Sequence, residues 1–559
     1  MSSSTAMDGG SAANAGRDLR PTDAPPLDGS APFDLIVVGA GINGAAVARE
    51  AALSGLRVLL LDRGDLGAGT SSASSRLIHG GLRYLEYAEI GLVYESLAER
   101  ERLLRTAPHL VEPLELCIPF YAGARRRPWQ IRFGLTLYDL LSAGLSAGKS
   151  VPNHSSLSRA ELLARLPGLR ADGLVGGASY FDAQARYPER LVLENVRDAV
   201  EHGARLMTYT QVTRIRVEGG RVTGVDWRAA DGATGSAAAA LVVNAAGPWV
   251  DEVLGPIKHT RLIGGTKGSH LIAAQFPNAP RSGVYVEAGS DGRPLFILPW
   301  NGLVLVGTTD ERYDGDASAA TIDRTELEYL AGETERVFPA AAGLAGRALY
   351  TQTGVRPLPH RPKGKEGAIT RRHLIRRHRS AAGLYSIVGG KLTTHRALAE
   401  DVLRVLRRRH LPRLARTSPT RDRPLPGALG AAERDALLEQ VGARLGAAQA
   451  RRLWHVYGAA SGRIARLAER PGLDRPLRGA GSVLVAELVH ALEHEWAKTL
   501  ADILQRRCMA GLDASFGLGV AATAAAELER LGLWDRARAA EELGRYRELA
   551  ARHGAGRLA

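Results

Sequence analysis

The chain has 559 residues, 45% of them hydrophobic, which is enough for two or three domains with full cores. Its net charge of +14 comes almost wholly from arginine and admits an anionic small molecule, an acidic lipid surface or nucleic acid as partner. Cys117 and Cys508 lie far apart and fit neither a disulfide framework nor a metal spacing, and no apolar stretch reaches the ~20 residues of a spanning helix.

In chain order, residues 1–31 are rich in Ser, Gly, Ala and Pro, the composition of a disordered tail. No apolar run behind a basic start marks a signal peptide, so a cytoplasmic protein is expected, or one attached to a membrane from that side. From Phe33 the pattern changes. Leu35 to Val38 reads as a buried strand, and Gly39, Gly41 and Gly44 follow as G-x-G-x-x-G. Ala45 to Leu53 reads as a helix stopped at Gly55, and Arg57 to Leu61 as a second strand ending at Asp62. Gly39 permits the tight turn, Gly41 lets a pyrophosphate approach the main chain, and Gly44 lets helix and strand pack closely. Asp62 can accept hydrogen bonds from a ribose. The variant G-x-G-x-x-A occurs at Gly517, but no strand precedes it and it is set aside as chance. No further βα repeat follows the first unit. Instead come the Ser-rich loop from Ser71 and a long helical stretch from Tyr84 to Leu110. That favours a flavin, which stays bound through its redox chemistry, over an exchangeable nicotinamide.

Arg125 to Leu141 mixes Arg, Trp and apolar residues as an interfacial helix does; a buried helix with basic ends has the same composition. Ala240 to Val253 reads as a strand, a turn of small residues at Ala245, Ala246 and Gly247, and a helix opened by Pro248. Strands dominate the middle of the chain: "TKGSH" with Lys267 and His270, a hairpin at Asn301-Gly302 closed by Thr308, Thr309 and Asp310, and a segment reaching Arg356. Such a sheet suits a wall over a bound ring. The densest basic cluster, Arg361 to Ser380, reads as a solvated hairpin. Leu384 to Val388 is a strand, Gly389-Gly390 a turn, and Leu398, Val402 and Val405 the buried face of a helix. Lys391 and Thr393 open that helix, a good place for the negative edge of a reduced flavin. Arg421 to Ala428 is a Pro-rich junction. Beyond it, Leu438, Val441 and Leu445, then Trp496, Leu500, Ile503 and Leu504, form stripes at helical spacing, without a cofactor motif.

The segments "GAGINGAAVAREAA", "TSSASSRLIHGGLRYLE", "NAAGPWVDEV", "TKGSH", "PWNGLVLVGTTDERYDGD", "TGVRPL", "VGGKLTTHRALAE" and "HEWAKTLADILQRR" occur in one order from about residue 33 to 515. Together they make the chain similar to the FAD-dependent glycerol-3-phosphate dehydrogenases. Two departures stand out: Arg76 where the family more often has Lys, and "RYPERLVLEN" (Arg186 to Asn195) where it commonly has "NDARLVLEN". The resemblance implies an α/β fold with a Rossmann-like FAD-binding domain of the glutathione-reductase/D-amino-acid-oxidase type. An antiparallel-sheet substrate domain would be interleaved with it, and an α-helical cap would follow. The expected boundaries are 32–115, 172–255 and 350–412 for the FAD-binding domain, 116–171 and 256–349 for the substrate domain, and 425–559 for the cap.

The implied reaction is oxidation of sn-glycerol 3-phosphate to dihydroxyacetone phosphate, by hydride transfer from C2 to flavin N5, with electrons passed to a quinone. The implied setting is the inner face of the cytoplasmic membrane, with a homodimer among the expected states and no nucleic acid or metal. An FAD-dependent oxidase using O2, on the same substrate or an amino acid, is the alternative. Secondary-alcohol oxidation needs a base for the hydroxyl proton and cations for the phosphate. His270 is the candidate base. Arg356 and Arg83 are the phosphate candidates, because a guanidinium makes paired hydrogen bonds. Tyr84 is expected to line the pocket and Lys391 to meet the flavin pyrimidine edge. Cofactor contacts are expected from Gly39, Gly41, Asn43, Gly44, Asp62, Ser71, Ser72, Gly80, Gly81, Ala246, Gly247, Gly389, Gly390, Leu392 and Thr393. His79 either joins them or caps its loop.

Overall fold

The computed structural model describes residues 31–145, 148–363, 369–479 and 481–558, so the segment expected to be a disordered tail lies, but for Ala31, outside the described residues. The apolar run Leu35–Val38 is buried at all four positions and forms the centre of a six-stranded sheet. Its neighbours are Val58–Leu61 on one side and Val242–Asn244 on the other, both parallel. Arg205–Met207 extends the first side, Leu384–Val388 the second, and Leu374–Arg377 closes that edge antiparallel. The chain after Leu35–Val38 therefore emerges where strand order reverses, the place where open α/β sheets bind ligands.

The helix after that strand, Ile42–Leu53, packs so closely that a Cβ on Gly44 would lie 1.8 Å from the Gly39 carbonyl oxygen. Gly55, at φ +83°, ends it as expected. Pro188–Glu201 packs beside it and is studded with buried charges. Arg49 meets Asp198 at 2.6 Å, Arg76 meets Glu189 at 3.0 Å, and Arg190 meets Glu495 at 2.6 Å. Pairs buried like these fix which surfaces meet more surely than they add stability.

A ten-stranded sheet stands beside the first, running Glu311–Arg312, Thr266–Ala274, Leu303–Gly307, Pro294–Trp300, Gly283–Glu287, Val111–Tyr121, Leu174–Ala185 and Leu77–Ile78. Ala348–Arg356 pairs with Thr266–Ala274, and Ser155–Leu157 with Leu174–Ala185. The hairpin read at Asn301-Gly302 is present, with positive φ at both residues (+50° and +73°), the backbone a tight two-residue turn demands. Leu174–Ala185 and Ala348–Arg356, which the expected boundaries assign to the nucleotide-binding part, hydrogen-bond into this second sheet.

Helices Ala431–Leu445, Ala447–Tyr457, Val485–His494, Leu518–Arg530 and Arg536–His553 complete the chain. They share one core with the ten-stranded sheet, where Leu116, Leu305 and Tyr350 join Leu453, Leu488 and Leu504. The stripe from Trp496 to Leu504 is not a single helix face. Trp496 has φ +56° and packs towards the nucleotide side, ahead of the helical turn that buries Leu500, Ile503 and Leu504.

Candidate functional site

A cavity of about 990 Å3 runs between the two sheets. At one end its wall is the G-x-G-x-x-G turn. Gly39 has φ +101°, and a Cβ there would lie 2.7 Å from the Ala245 oxygen. Asp62 ties the turn down by accepting from the Ala40 N–H at 2.6 Å and the Gly64 N–H at 2.8 Å. Burial pushes its carboxyl above the ordinary range, against those two donors. Ser71 Oγ accepts from the Ile42 N–H at 3.0 Å, so the loop is hooked onto the start of the helix. Ser72 bonds the Gly67 carbonyl at 2.7 Å.

The late glycine turn meets the early one here. Asn43 Nδ2 donates to the Gly389 carbonyl at 3.3 Å, and a Cβ on Gly390 would lie 2.8 Å from that nitrogen. Gly389 and Gly390 both have positive φ, +79° and +100°. Ala246 and Gly247, in the turn before Val250–Leu254, complete this end. Gly39, Gly41, Asn43, Asp62, Ser71 and Ser72 all face the cavity, whereas Gly44 is spent on helix–strand packing.

At the other end the wall is side chain. His270 sits on Thr266–Ala274 between Leu303–Gly307 and Ala348–Arg356. Gly307 stands opposite, and a Cβ there would lie 2.2 Å from the imidazole. Burial, helped by Arg356 and Arg76, pulls the His270 imidazolium down to about 3, so the ring is neutral at working pH. Arg356 donates to Asp310 Oδ1 at 3.0 Å and Thr308 Oγ1 at 2.8 Å. Arg371 donates to Asp310 Oδ2 at 2.8 Å. Burial raises the Asp310 carboxyl, but the two guanidiniums more than reverse this and hold it below its ordinary value. Two cations against one anion leave a net positive charge facing the cavity.

Lys391 lies in the turn ahead of the helix His395–Arg409 and donates to Ser96 Oγ at 3.0 Å and the His79 carbonyl at 3.3 Å. Its ammonium stands 4.6 Å from the Tyr84 ring centroid. Burial brings it down to about 7. The His79 main chain is tied to the same turn by its N–H, 3.1 Å from Thr393 Oγ1. Lys391, Leu392, Thr393, His79 and Tyr84 all line the cavity. Gly80, Gly81 and Arg83 lie behind that lining. The Gly80 N–H donates to Tyr138 Oη at 2.8 Å, and Gly81, at φ +83°, lets the Tyr84 ring lie against it. Arg83 is turned to Tyr87, its guanidinium 5.7 Å from that ring centroid.

Two features escaped the sequence. Arg371 belongs to the cluster expected to be a solvated hairpin, yet its side chain is mostly buried against Asp310 and lines the cavity. The C-terminal helices supply part of the wall through Leu512, Phe516, Leu549 and His553, although no motif announced it. Lys267 goes elsewhere: its ammonium lies 2.8 Å from Glu326, 3.1 Å from Asp323 and 3.8 Å from Glu311.

The polar atoms left over fit a dinucleotide. Asn43 Oδ1 and Trp249 Nε1 line the cavity, buried and without a protein partner. The open glycine turns and the start of Ile42–Leu53 present main chain to an anionic group.

Comparison with known proteins agrees. The family described as "FAD dependent oxidoreductase" matches residues 34–402, and "C-terminal domain of alpha-glycerophosphate oxidase" matches residues 418–539. The chain is 43% identical to the glycerol-3-phosphate dehydrogenase of Synechocystis sp., over 85% of this chain and 88% of that one. It is 37% identical to the D-erythritol 1-phosphate dehydrogenase of Brucella abortus, over 85% and 93% respectively. The glycerol-3-phosphate dehydrogenase of Bacillus halodurans, solved with FAD, superposes with a TM-score of 0.75 at 26% identity, over 93% of this chain and 95% of that one. The fold is therefore the FAD-dependent oxidoreductase fold with a helical C-terminal part, and the cofactor is FAD.

Proposed function

The chain belongs to the FAD-dependent glycerol-3-phosphate dehydrogenase family, and from that premise we propose that it oxidises C2 of sn-glycerol 3-phosphate to give dihydroxyacetone phosphate, with a quinone as final acceptor. Bound FAD supplies the two-electron acceptor. Gly39, Gly41, Asp62 and Ser71 would hold its ADP part, and Gly390 and Lys391 its ring. The observation that carries the reading is the convergence of His270, Arg356, Arg371 and Lys391 on the cavity that both glycine turns enclose.

His270, neutral and proton-free on one nitrogen, takes the substrate hydroxyl proton. Arg356 and Arg371 grip the phosphate, whose charge of about −1.5 to −2 at pH 7 exceeds the single net positive charge the two guanidiniums keep beside Asp310 and so raises the basicity of His270 as substrate binds. Arg83 stands near this group, within the field of Asp310, and would join the phosphate contacts on rotating from Tyr87. Lys391 would stand at the flavin's pyrimidine edge, where the negative charge that flavin gains on reduction would favour the ammonium that burial disfavours.

The quinone reading rests on a surface feature. On Pro128–Ala143, Trp129, Phe133 and Leu140 form one outward stripe, 62%, 68% and 65% exposed. Tyr87, Ile90 and Tyr94 add exposed apolar area on the neighbouring elements, and Arg125 and Arg127 ahead of the helix and Arg132 on it are exposed as well. No helix among the described residues is long and apolar enough to cross a membrane. A basic-rimmed apolar stripe suits a helix lying in the headgroup layer. The match to an oxidase's C-terminal domain favours a second reading, O2 as acceptor.

One titration tests the reaction and separates the acceptors. Anaerobic addition of glycerol 3-phosphate should bleach the flavin band. Re-oxidation by a soluble quinone, faster than by O2 and without peroxide, supports the dehydrogenase. Stoichiometric peroxide supports the oxidase, and an unbleached band removes the substrate assignment. Running D-erythritol 1-phosphate alongside shows how far the site extends beyond three carbons.

A further inference from the structure

Ser75 has no part in the reading above, yet its Oγ lies 2.9 Å from Nε2 of His270. The residue after it explains why the hydroxyl is held there. Arg76 is fully buried and has φ +59°, a left-handed backbone that L side chains adopt only under constraint. Its guanidinium makes a paired bond to Glu189 (3.0 and 3.0 Å), donates to the Arg186 carbonyl at 3.1 Å, and lies 4.3 Å from the Trp300 ring centroid. Trp300 Nε1 donates to that same carbonyl at 3.0 Å. The Arg76 carbonyl accepts from the Ala185 N–H at 2.8 Å, fastening the loop to the ten-stranded sheet. Ser75 is thus presented from a locked backbone rather than from a free loop.

An imidazole on a strand still turns about its last bond, and its proton can sit on either nitrogen. Gly307, lacking a Cβ, lets the ring lie close against the neighbouring strand but gives it no side-chain hydrogen bond. We infer that Ser75 is a positioning residue for His270: its hydroxyl, held by the Arg76–Glu189 latch, fixes the plane of the ring for proton transfer. The inference rests on His270 being the base. The charged groups facing that ring are Arg356 from Ala348–Arg356 and Arg76 from the loop, with Glu189 of Pro188–Glu201 neutralising Arg76. None of these charged groups is within hydrogen-bond reach of the ring; the Gln352 main chain beside it favours a proton on the ring and, fixed on its strand, is the same in a Ser75 variant.

The test is Ser75→Ala, with Ser75→Thr as the hydroxyl-retaining rescue and His270→Asn as background, all assayed as holoenzyme with matched flavin absorbance. A base freed to rotate should lower kcat on the order of 10- to 100-fold, leave KM for glycerol 3-phosphate nearly unchanged, and displace the acid limb of the pH profile. Ser75→Thr should recover most of kcat. In the His270→Asn background, Ser75→Ala should cost nothing further, because both changes disable one device. An unchanged kcat and pH profile in Ser75→Ala, with His270→Asn inactive, overturns the positioning role alone. An equal loss in both backgrounds does the same, since Ser75 would then act without His270. High activity of His270→Asn instead overturns the base assignment and the inference with it. Should Ser75→Ala not retain flavin, Ser75→Cys carries the same predictions with side-chain volume preserved.

Discussion

At the glycine end of the cavity the wall is main chain. Main-chain groups of residues 39–44 and 389–390 lie open there, the Ser71 and Asn43 side chains tie the turns together, and Asp62 braces the first of them. At the histidine end the wall is side chain. His270 and Arg356 come from two strands, Arg371 from the loop before the edge strand and Lys391 from the turn after Leu384–Val388, and burial or a neighbouring charge shifts the proton affinity of His270, Asp310 and Lys391. The difference teaches that holding a cofactor needs an absence of bulk at a few adjacent positions, whereas chemistry needs charge carried in from far along the chain and kept dry.

If that contrast is right, substitutions at the two ends should fail differently. The largest effect is expected at His270→Ala: a loss of roughly 10²- to 10⁴-fold in kcat/KM with flavin content unchanged, read from steady-state rates against the absorbance of bound flavin. Next come Arg356→Ala and Arg371→Ala. Each removes a charged hydrogen-bonding group worth about 1.5–3 kcal/mol, which should show mainly as a raised KM. Arg356→Lys should not restore it, because an ammonium cannot reproduce the paired bonds.

Gly39→Ala tests the opposite end. A Cβ at φ +101° and 2.7 Å from a carbonyl should cost about 1–3 kcal/mol and lower flavin occupancy, while the loaded fraction turns over normally. A slow loaded fraction would break the comparison. The smallest effect concerns pH. Burial lowers the Lys391 ammonium from 10.5 to about 7 in the folded chain, so between those values the unfolded chain binds the extra proton and stability rises with pH. In flavin-free protein, Lys391→Met should therefore be more stable than the parent at pH 7, and its advantage should shrink towards pH 10, as urea midpoints would report.

The same contrast explains what could be read from the sequence. The first strand, the glycine turn, its helix and Asp62 are one contiguous segment with one period and one punctuation, and they occur where expected. The Asn301-Gly302 hairpin was equally local. Arg371 was not legible, because in an arginine-rich stretch a side chain that turns inward to Asp310 looks like those that face water. Trp496 was placed on a helix face by spacing alone, and a positive φ just before the helix removes it from that face. The walls at Leu512 and His553 carry no local signature, because what brings them to the cavity is packing against Tyr350 and Thr351.

The contact between Asn43 and Gly389 joins residues 346 positions apart, and the wall at Phe516 and His553 arrives later still. A ribosome delivers the first strand, turn and helix long before it delivers their partners. The dinucleotide's nascent cradle therefore stays open on one side throughout elongation, and enclosure of the flavin is among the last acts of maturation.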